Sequence, residues 1–264
     1  MVKNEYDILI VDNEPVVIDS VVKVVSSEGL KVDSAEDVHK ALRKLKNNRY
    51  RLIVCDIMMP DIDGFKFLIE KQAMQIDTPV IMTSGYSTID NAVKSLLQGA
   101  IGFLPKPFTM NELMSRISRG LKYMDIKQMV AANDNKTEGS YCLCPDDYYR
   151  LGDASWVHCE SQSSVVMGVC DLYLRTIESV KDIELLNTND LISQGIPCAK
   201  FRSKNRFTYN LLSPVSGRII VRNENILEHP DILLDDPYGD GWIYRITPSE
   251  LERDLGNLRI GDLR

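Results

Sequence analysis

Five polar side chains stand where apolar runs break off, and together their types suit one reaction. Leu52-Ile53-Val54-Cys55 runs straight into Asp56, and Pro60-Asp61-Ile62-Asp63-Gly64 then turns the chain. A short apolar run between turn residues reads as a strand buried on both faces. Asp56 therefore leaves the sheet at its carboxyl end, where open α/β sheets bind ligands. Asp12 and Asn13 follow the run ending at Val11, Ser84 follows Val80-Ile81-Met82-Thr83, and Lys106 follows Ala100 to Leu104. An isolated acid at such a point would only turn the chain; four strand ends carrying such groups into one crevice fit phosphoryl transfer onto a carboxylate. Asp56 is the nucleophile in that scheme and becomes an acyl phosphate. The acids clustered before it, Asp12 first, would hold a hard divalent cation of the magnesium type, which needs few protein ligands and offsets repulsion between phosphate and acids. Lys106 would pair with a phosphoryl oxygen, and Ser84 would give it a hydroxyl.

The elements that must position these groups follow from periodicity. Tyr6 to Val11 is a strand, and Pro15 opens a helix whose Ile18, Val21, Val22 and Val25 share one face. Gly29 ends that helix. Leu30-Lys31-Val32 is a short strand, Asp37 to Lys46 a helix, and Phe65 to Gln75 another. A helix through Ala92, Val93 and Leu96 separates the fourth strand from the fifth, and a last one runs from Thr109, an N-cap, to about Met124. Five βα units predict a doubly wound parallel sheet.

Residues 1–125 resemble a response-regulator receiver domain of two-component signalling. The resemblance rests on Ile10-Val11-Asp12-Asn13-Glu14-Pro15, on Asp56 to Gly64, on Met82-Thr83-Ser84-Gly85-Tyr86 and on Lys106-Pro107-Phe108. It implies a flavodoxin-like sheet of order 2-1-3-4-5. Asp56 is then the phosphoacceptor of a sensor histidine kinase, Lys106 its charge partner and Ser84 the switch hydroxyl. It further implies Phe103 as an aromatic that swings inward, and the Met58 backbone carbonyl as a magnesium ligand. Asn13 stands where the family has a second acid. An amide oxygen ligates a metal without bringing charge, so weaker magnesium binding is expected. Receivers also pair through one face, which makes a homodimer an expectation.

The chain has 264 residues, 44% hydrophobic and 26% charged, with a net charge of −7. That length admits two ordinary domains. No membrane span or signal-peptide core is present in the sequence, so a cytoplasmic protein is expected. Residues 1–125 carry 16 basic and 17 acidic side chains, and residues 126–264 carry 15 and 21. An acidic second half argues against nucleic acid as a partner, since phosphate backbones need a positive footprint. The six cysteines are scattered, and those in apolar runs suit buried thiols better than disulfides. Cys142-Leu143-Cys144 lacks a second pair at zinc spacing. Residues 126–147 read as a helical extension and a polar linker.

From Tyr148 the pattern changes to short strands and turns, a mainly β domain over 148–255 followed by a tail, 256–264. His158 and His229 have no obvious nucleophile beside them, so no enzyme is expected. Pro214-Val215-Ser216-Gly217 and Asp236-Pro237-Tyr238-Gly239-Asp240-Gly241-Trp242 resemble the glycine cleavage system H-protein, a lipoyl-carrying barrel-sandwich hybrid. That family attaches lipoate to a lysine at a hairpin tip. Here the tip reads Ser203-Lys204-Asn205-Arg206-Phe207. Counting back from Pro214 puts Arg206 at the lysine position, counting forward from Gly195 puts Asn205 there, and Lys204 misses both. A guanidinium stays protonated and is not acylated, so no lipoate is expected.

Three functions follow. In the first, phosphorylation of Asp56 controls an unlipoylated H-like output domain that binds a protein partner. In the second, Lys204 is lipoylated and the receiver gates a carrier. In the third, Asn13 has cost the receiver its phosphorylation and the chain is a scaffold.

Overall fold

A computed structural model of the chain describes residues 4–60, 62–86, 88–132, 141–177, 179–204 and 207–261. They form two compact units, divided between Ala132 and Asn133.

In the first unit β1 (Glu5–Val11), β2 (Val32–Ala35), β3 (Arg49–Asp56), β4 (Val80–Ser84) and β5 (Gly102–Pro105) alternate with α1 (Pro15–Ser27), α2 (Val38–Asn47), α3 (Gly64–Ala73), α4 (Ile89–Leu97) and α5 (Met110–Ala132). The strands make one parallel sheet of order β2-β1-β3-β4-β5. Both its faces are covered. Leu9, Val11, Ile53, Cys55 and Met82 pack against one side with Phe67 and Leu68. Ile8, Ile10, Leu52, Val54 and Ile81 pack against the other with Val21, Val25 and Ile117. Alternate residues of β1, β3 and β4 thus serve opposite cores, as the strand period requires. The helix starts follow from local chemistry. Asp37 caps α2 by accepting from the Lys40 N–H at 2.6 Å, Asp63 caps α3 through Lys66 N–H at 2.9 Å, and Pro15 opens α1. β2 lies later than Leu30-Lys31-Val32 suggests, because Val32 to Ala35 take the register beside Ile8 to Val11. Its polar Asp33 is held by Lys44 at 2.5 Å and by the Tyr50 hydroxyl at 2.7 Å.

The second unit is mostly antiparallel. Its strands are β6 (Tyr149–Leu151), β7 (Ser155–Cys159), β8 (Val165–Val169), β9 (Val180–Leu185), β10 (Leu191–Ile192), β11 (Pro197–Ser203), β12 (Thr208–Leu212), β13 (Gly217–Arg222), β14 (Trp242–Pro248) and β15 (Arg259–Ile260). Seven form a sheet of order β10-β13-β14-β8-β7-β6-β15, and three form β12-β11-β9. Val157, Met167, Phe201, Tyr209, Leu211, Ile219 and Tyr244 fill the core. Trp156 is fully buried beside Gly168, where an added Cβ would stand 2.5 Å from the indole ring. Its Nε1 donates to the carbonyls of Val169 and Pro237 at 3.1 and 3.0 Å. Residues 256–261, the described part of the expected tail, belong to the fold. β15 pairs with β6, and the Gly261 N–H donates to the Tyr148 carbonyl at 2.7 Å. No helix among the described residues is long and apolar enough to cross a membrane.

Candidate phosphoryl-transfer site

β1 ends at Val11, β3 at Asp56 and β5 at Pro105, so Asp12, Asp56 and Lys106 leave one edge of the parallel sheet together. The Lys106 ammonium lies 2.7 Å from Asp12 Oδ2 and 3.0 Å from Asp56 Oδ1. Both carboxylates are about as buried as residues of the core, at 3% exposure. Asp12 Oδ1 accepts the Glu14 N–H at 3.0 Å, and Glu14 Oε1 stands 3.7 Å from the ammonium. Gly64 lets α3 begin close to the site, since a Cβ there would meet the Asp56 carbonyl at 2.4 Å. The Lys106–Pro107 peptide is cis.

Two buried acids sharing one ammonium leave an excess of negative charge. Burial raises the Asp56 pKa, the charge of Asp12 adds to the rise, and Lys106 and the Met58 N–H oppose it without cancelling it. Burial disfavours the Lys106 ammonium, but hydrogen bonds to Asp12 and Asp56 prevail and raise its pKa. The arrangement sets a buried carboxylate beside a cation that is held in its charged form.

The other residues that the sequence singles out are placed as follows. Asn13 is half-buried beside Asp12, and Met58 is exposed on the loop after β3. Ser84 is fully buried, but its hydroxyl accepts the Tyr86 N–H at 3.1 Å and donates to the Tyr86 carbonyl at 3.2 Å. Phe103 is half-buried against the core on the Leu9 and Phe67 side. The hydroxyl that does reach the acid belongs to Thr83, whose Oγ1 donates to Asp56 Oδ1 at 3.4 Å. Sequence reasoning passed over it. The signal lay in the register, because Asp56 and Thr83 are partners across β3 and β4.

In the second unit β11 and β12 form the expected hairpin, with Arg202 opposite Thr208 and the Ser203 N–H donating to the Phe207 carbonyl at 3.0 Å. Lys204 is exposed, and its N–H donates to the Ser179 carbonyl at 3.3 Å. Asn205 and Arg206 lie outside the described residues. The two recognised motifs are both built into the scaffold. Ser213 Oγ donates to the Val215 carbonyl at 2.7 Å, and Asp236 Oδ2 accepts the Asp240 N–H at 2.8 Å. His158 stacks on Tyr148 at 4.5 Å with Asp147 at 3.6 Å.

Comparison with known proteins agrees with both halves. The response regulator receiver domain family matches residues 8–118, and the glycine cleavage H-protein family matches residues 148–261. Glycine cleavage system H protein 2 of Aquifex aeolicus is 30% identical over 122 residues, 46% of this chain and 75% of that protein. Transcriptional regulatory protein PrrA of Mycobacterium tuberculosis is 36% identical over 115 residues, 44% of this chain and 49% of that protein. Among solved structures, the receiver domain of NtrX from Brucella abortus is 34% identical, with 44% of this chain and 98% of that one covered and a TM-score of 0.42. The chain spans about half the length of the curated response regulators it matches. Neither family is defined by a catalytic activity of its own. The first half of this chain is a response-regulator receiver domain, and the second half belongs to the glycine cleavage H-protein family.

Proposed function

We propose that the chain is a two-component response regulator whose H-protein-like half is the output. A sensor histidine kinase donates a phosphoryl group to Asp56, and the H-like domain binds a protein partner according to that state. The observation that carries this reading is the Lys106 ammonium, held 2.7 Å from Asp12 and 3.0 Å from Asp56 in a buried pocket of charge.

The donor set fits a magnesium ion. It offers hard oxygens only, from Asp12, Asn13, Asp56 and the Met58 carbonyl, and burial, with the Asp12 charge adding to it, raises the Asp56 pKa. When bound, that ion offsets repulsion between the phosphoryl group and the acids. Asn13 supplies no charge, so the affinity is lower than a pair of acids would give. The rest is done by the chain. An Asp56 oxygen attacks phosphorus, the P–N bond to the kinase histidine breaks, and the imidazole leaves and takes up a proton. Lys106 gives up Asp12 for a phosphoryl oxygen. Ser84 leaves the Tyr86 backbone to donate to the same group, and Phe103 moves inward behind it. A coupling of about 1–3 kcal/mol suffices for such a switch.

Partner capture tests the output. Phosphorylated wild type should retain a protein that Asp56→Asn does not, and Lys204→Ala should leave retention unchanged. Capture that is indifferent to Asp56 contradicts the reading.

Thr83 gives a second expectation. Its hydroxyl favours the Asp56 carboxylate, so Thr83→Val should slow phosphoryl uptake roughly 3–10-fold, the worth of one hydrogen bond. The pH midpoint of uptake should also move up. Thr83→Ser should restore both, and rates from a small phosphodonor across pH 5–8 would check this.

Exposure of Lys204 at the hairpin supports a second reading, a lipoyl carrier gated by the receiver. Position argues against it, since the two counts put Arg206 or Asn205, not Lys204, at the place of the acylated lysine, and a residue's shift changes the face presented. Co-expression with a lipoate ligase should leave wild type unmodified, whereas Arg206→Lys or Asn205→Lys should gain one lipoyl group by intact mass. Modification of Lys204 in wild type would establish the carrier instead.

A further inference from the structure

Three of the six cysteines gather where β8 ends. Cys170 directly follows the strand, and Cys144 lies on the segment 141–145 that precedes the sheet. Both are buried, at 3% and 2% exposure, in one apolar cluster with Trp156 and Val166. All six cysteines are thiols. Cys142 is exposed. Its N–H donates to Asp171 Oδ2 at 2.5 Å, and its carbonyl accepts the Tyr238 hydroxyl at 3.3 Å. The segment carrying Cys144 is therefore fixed against the residue next to Cys170. Asp171 is fully buried, and its Oδ1 has no hydrogen-bond partner. The local packing thus rests on a partly satisfied polar group, which a covalent tie would reinforce.

Two buried thiols in one cluster, on segments held side by side by the Cys142–Asp171 hydrogen bond, need only a small approach to bond. Cys55 and Cys198 are equally buried, but each lies among apolar neighbours in its own core.

We propose that Cys144 and Cys170 form an oxidisable dithiol site, closed to a disulfide by a peroxide. Cys144 lies two residues from the exposed Cys142, so its sulfur meets the peroxide first. Its sulfur bonds one peroxide oxygen, the O–O bond breaks, and the departing oxygen leaves as water once protonated. The sulfenic acid on Cys144 is then attacked by the Cys170 sulfur. The S–O bond breaks, its oxygen leaves as a second water, and the Cys170 proton goes with it. Two thiols and one peroxide thus give one disulfide and two waters. In a reducing compartment such a bond is transient and reports oxidant rather than serving as a permanent staple. The disulfide closes a loop of about 27 residues around β6, β7 and β8, which removes freedom from the unfolded chain.

The test uses the full chain. Hydrogen peroxide treatment, alkylation and non-reducing peptide mapping should yield one peptide pair linked through Cys144 and Cys170. Dithiothreitol should release it, and Cys142→Ser should retain it. Oxidation should raise the melting temperature of the second unit by about 5–15 °C in wild type and in Cys142→Ser, but not in Cys144→Ser or Cys170→Ser. Mapping of wild type stands alone if a serine variant fails to fold. Both thiols still alkylatable on unfolding after peroxide, or a bond involving Cys142 instead, would overturn the proposal.

Discussion

Replacing Lys106 with Met lowers the stability of the receiver by about 3 kcal/mol at pH 7, the usual result of breaking a buried ion pair from one side. The ammonium is shared by Asp12 and Asp56, and its side chain is only 15% exposed, so solvent screens little of this loss. Without it two buried carboxylates face each other. The sign of the pH dependence follows. Asp56 already has a folded pKa raised above 3.8 in wild type. An acid raised on folding contributes stability below its unfolded pKa, and loses it as pH rises through the folded value. Removing Lys106 raises that folded value further and widens the window upward. The deficit of Lys106→Met against wild type should therefore shrink as pH falls from 7 to 5. Urea unfolding of both proteins at several pH values measures it. A deficit independent of pH would mean that Lys106 acts through packing alone.

Asp56→Asn separates function from stability. The amide cannot form an acyl phosphate, so phosphoryl uptake falls to background, a loss of at least 100-fold on the scale expected when a nucleophile is removed. The same change takes one charge out of a repelling buried pair. The raised pKa of Asp56 means that ionising it costs stability in the fold. The variant should unfold no more easily than wild type, and at pH 7 it should be more stable by roughly 1 kcal/mol. Uptake of labelled phosphoryl group and a urea titration on the same preparation test both parts. Lost uptake with a large loss of stability would indicate a misfolded site rather than a missing nucleophile.

The site was legible in the sequence wherever an apolar run stopped at a polar residue. Asp12, Asp56 and Lys106 are positioned by their own strands, so their meeting follows from the βα pattern. Thr83 was not legible, because its role depends on the lateral register of β3 against β4, which no local pattern records. Ser84, one residue on, ends that strand and drew attention by position, yet its hydroxyl is engaged with the Tyr86 backbone. In the second half the Pro214 and Asp236 motifs identify the family through turns with demanding local geometry. The ends of that domain were harder. Residues 141–147 read as linker and residues 256–261 as part of a tail. They are held by contacts across the sequence, from Cys142 to Asp171, from Gly261 to Tyr148 and from β15 to β6. Their composition is that of any polar connection.

The central claim is that Asp56 accepts phosphorus beside Lys106. The most direct measurement incubates the purified chain with acetyl phosphate and magnesium, then maps the acid-labile phosphoryl group by mass spectrometry after borohydride trapping. The account predicts one modified residue, Asp56, with uptake that depends on magnesium and is lost in Lys106→Met. No phosphoryl group on the chain, or one carried by another residue, would contradict it.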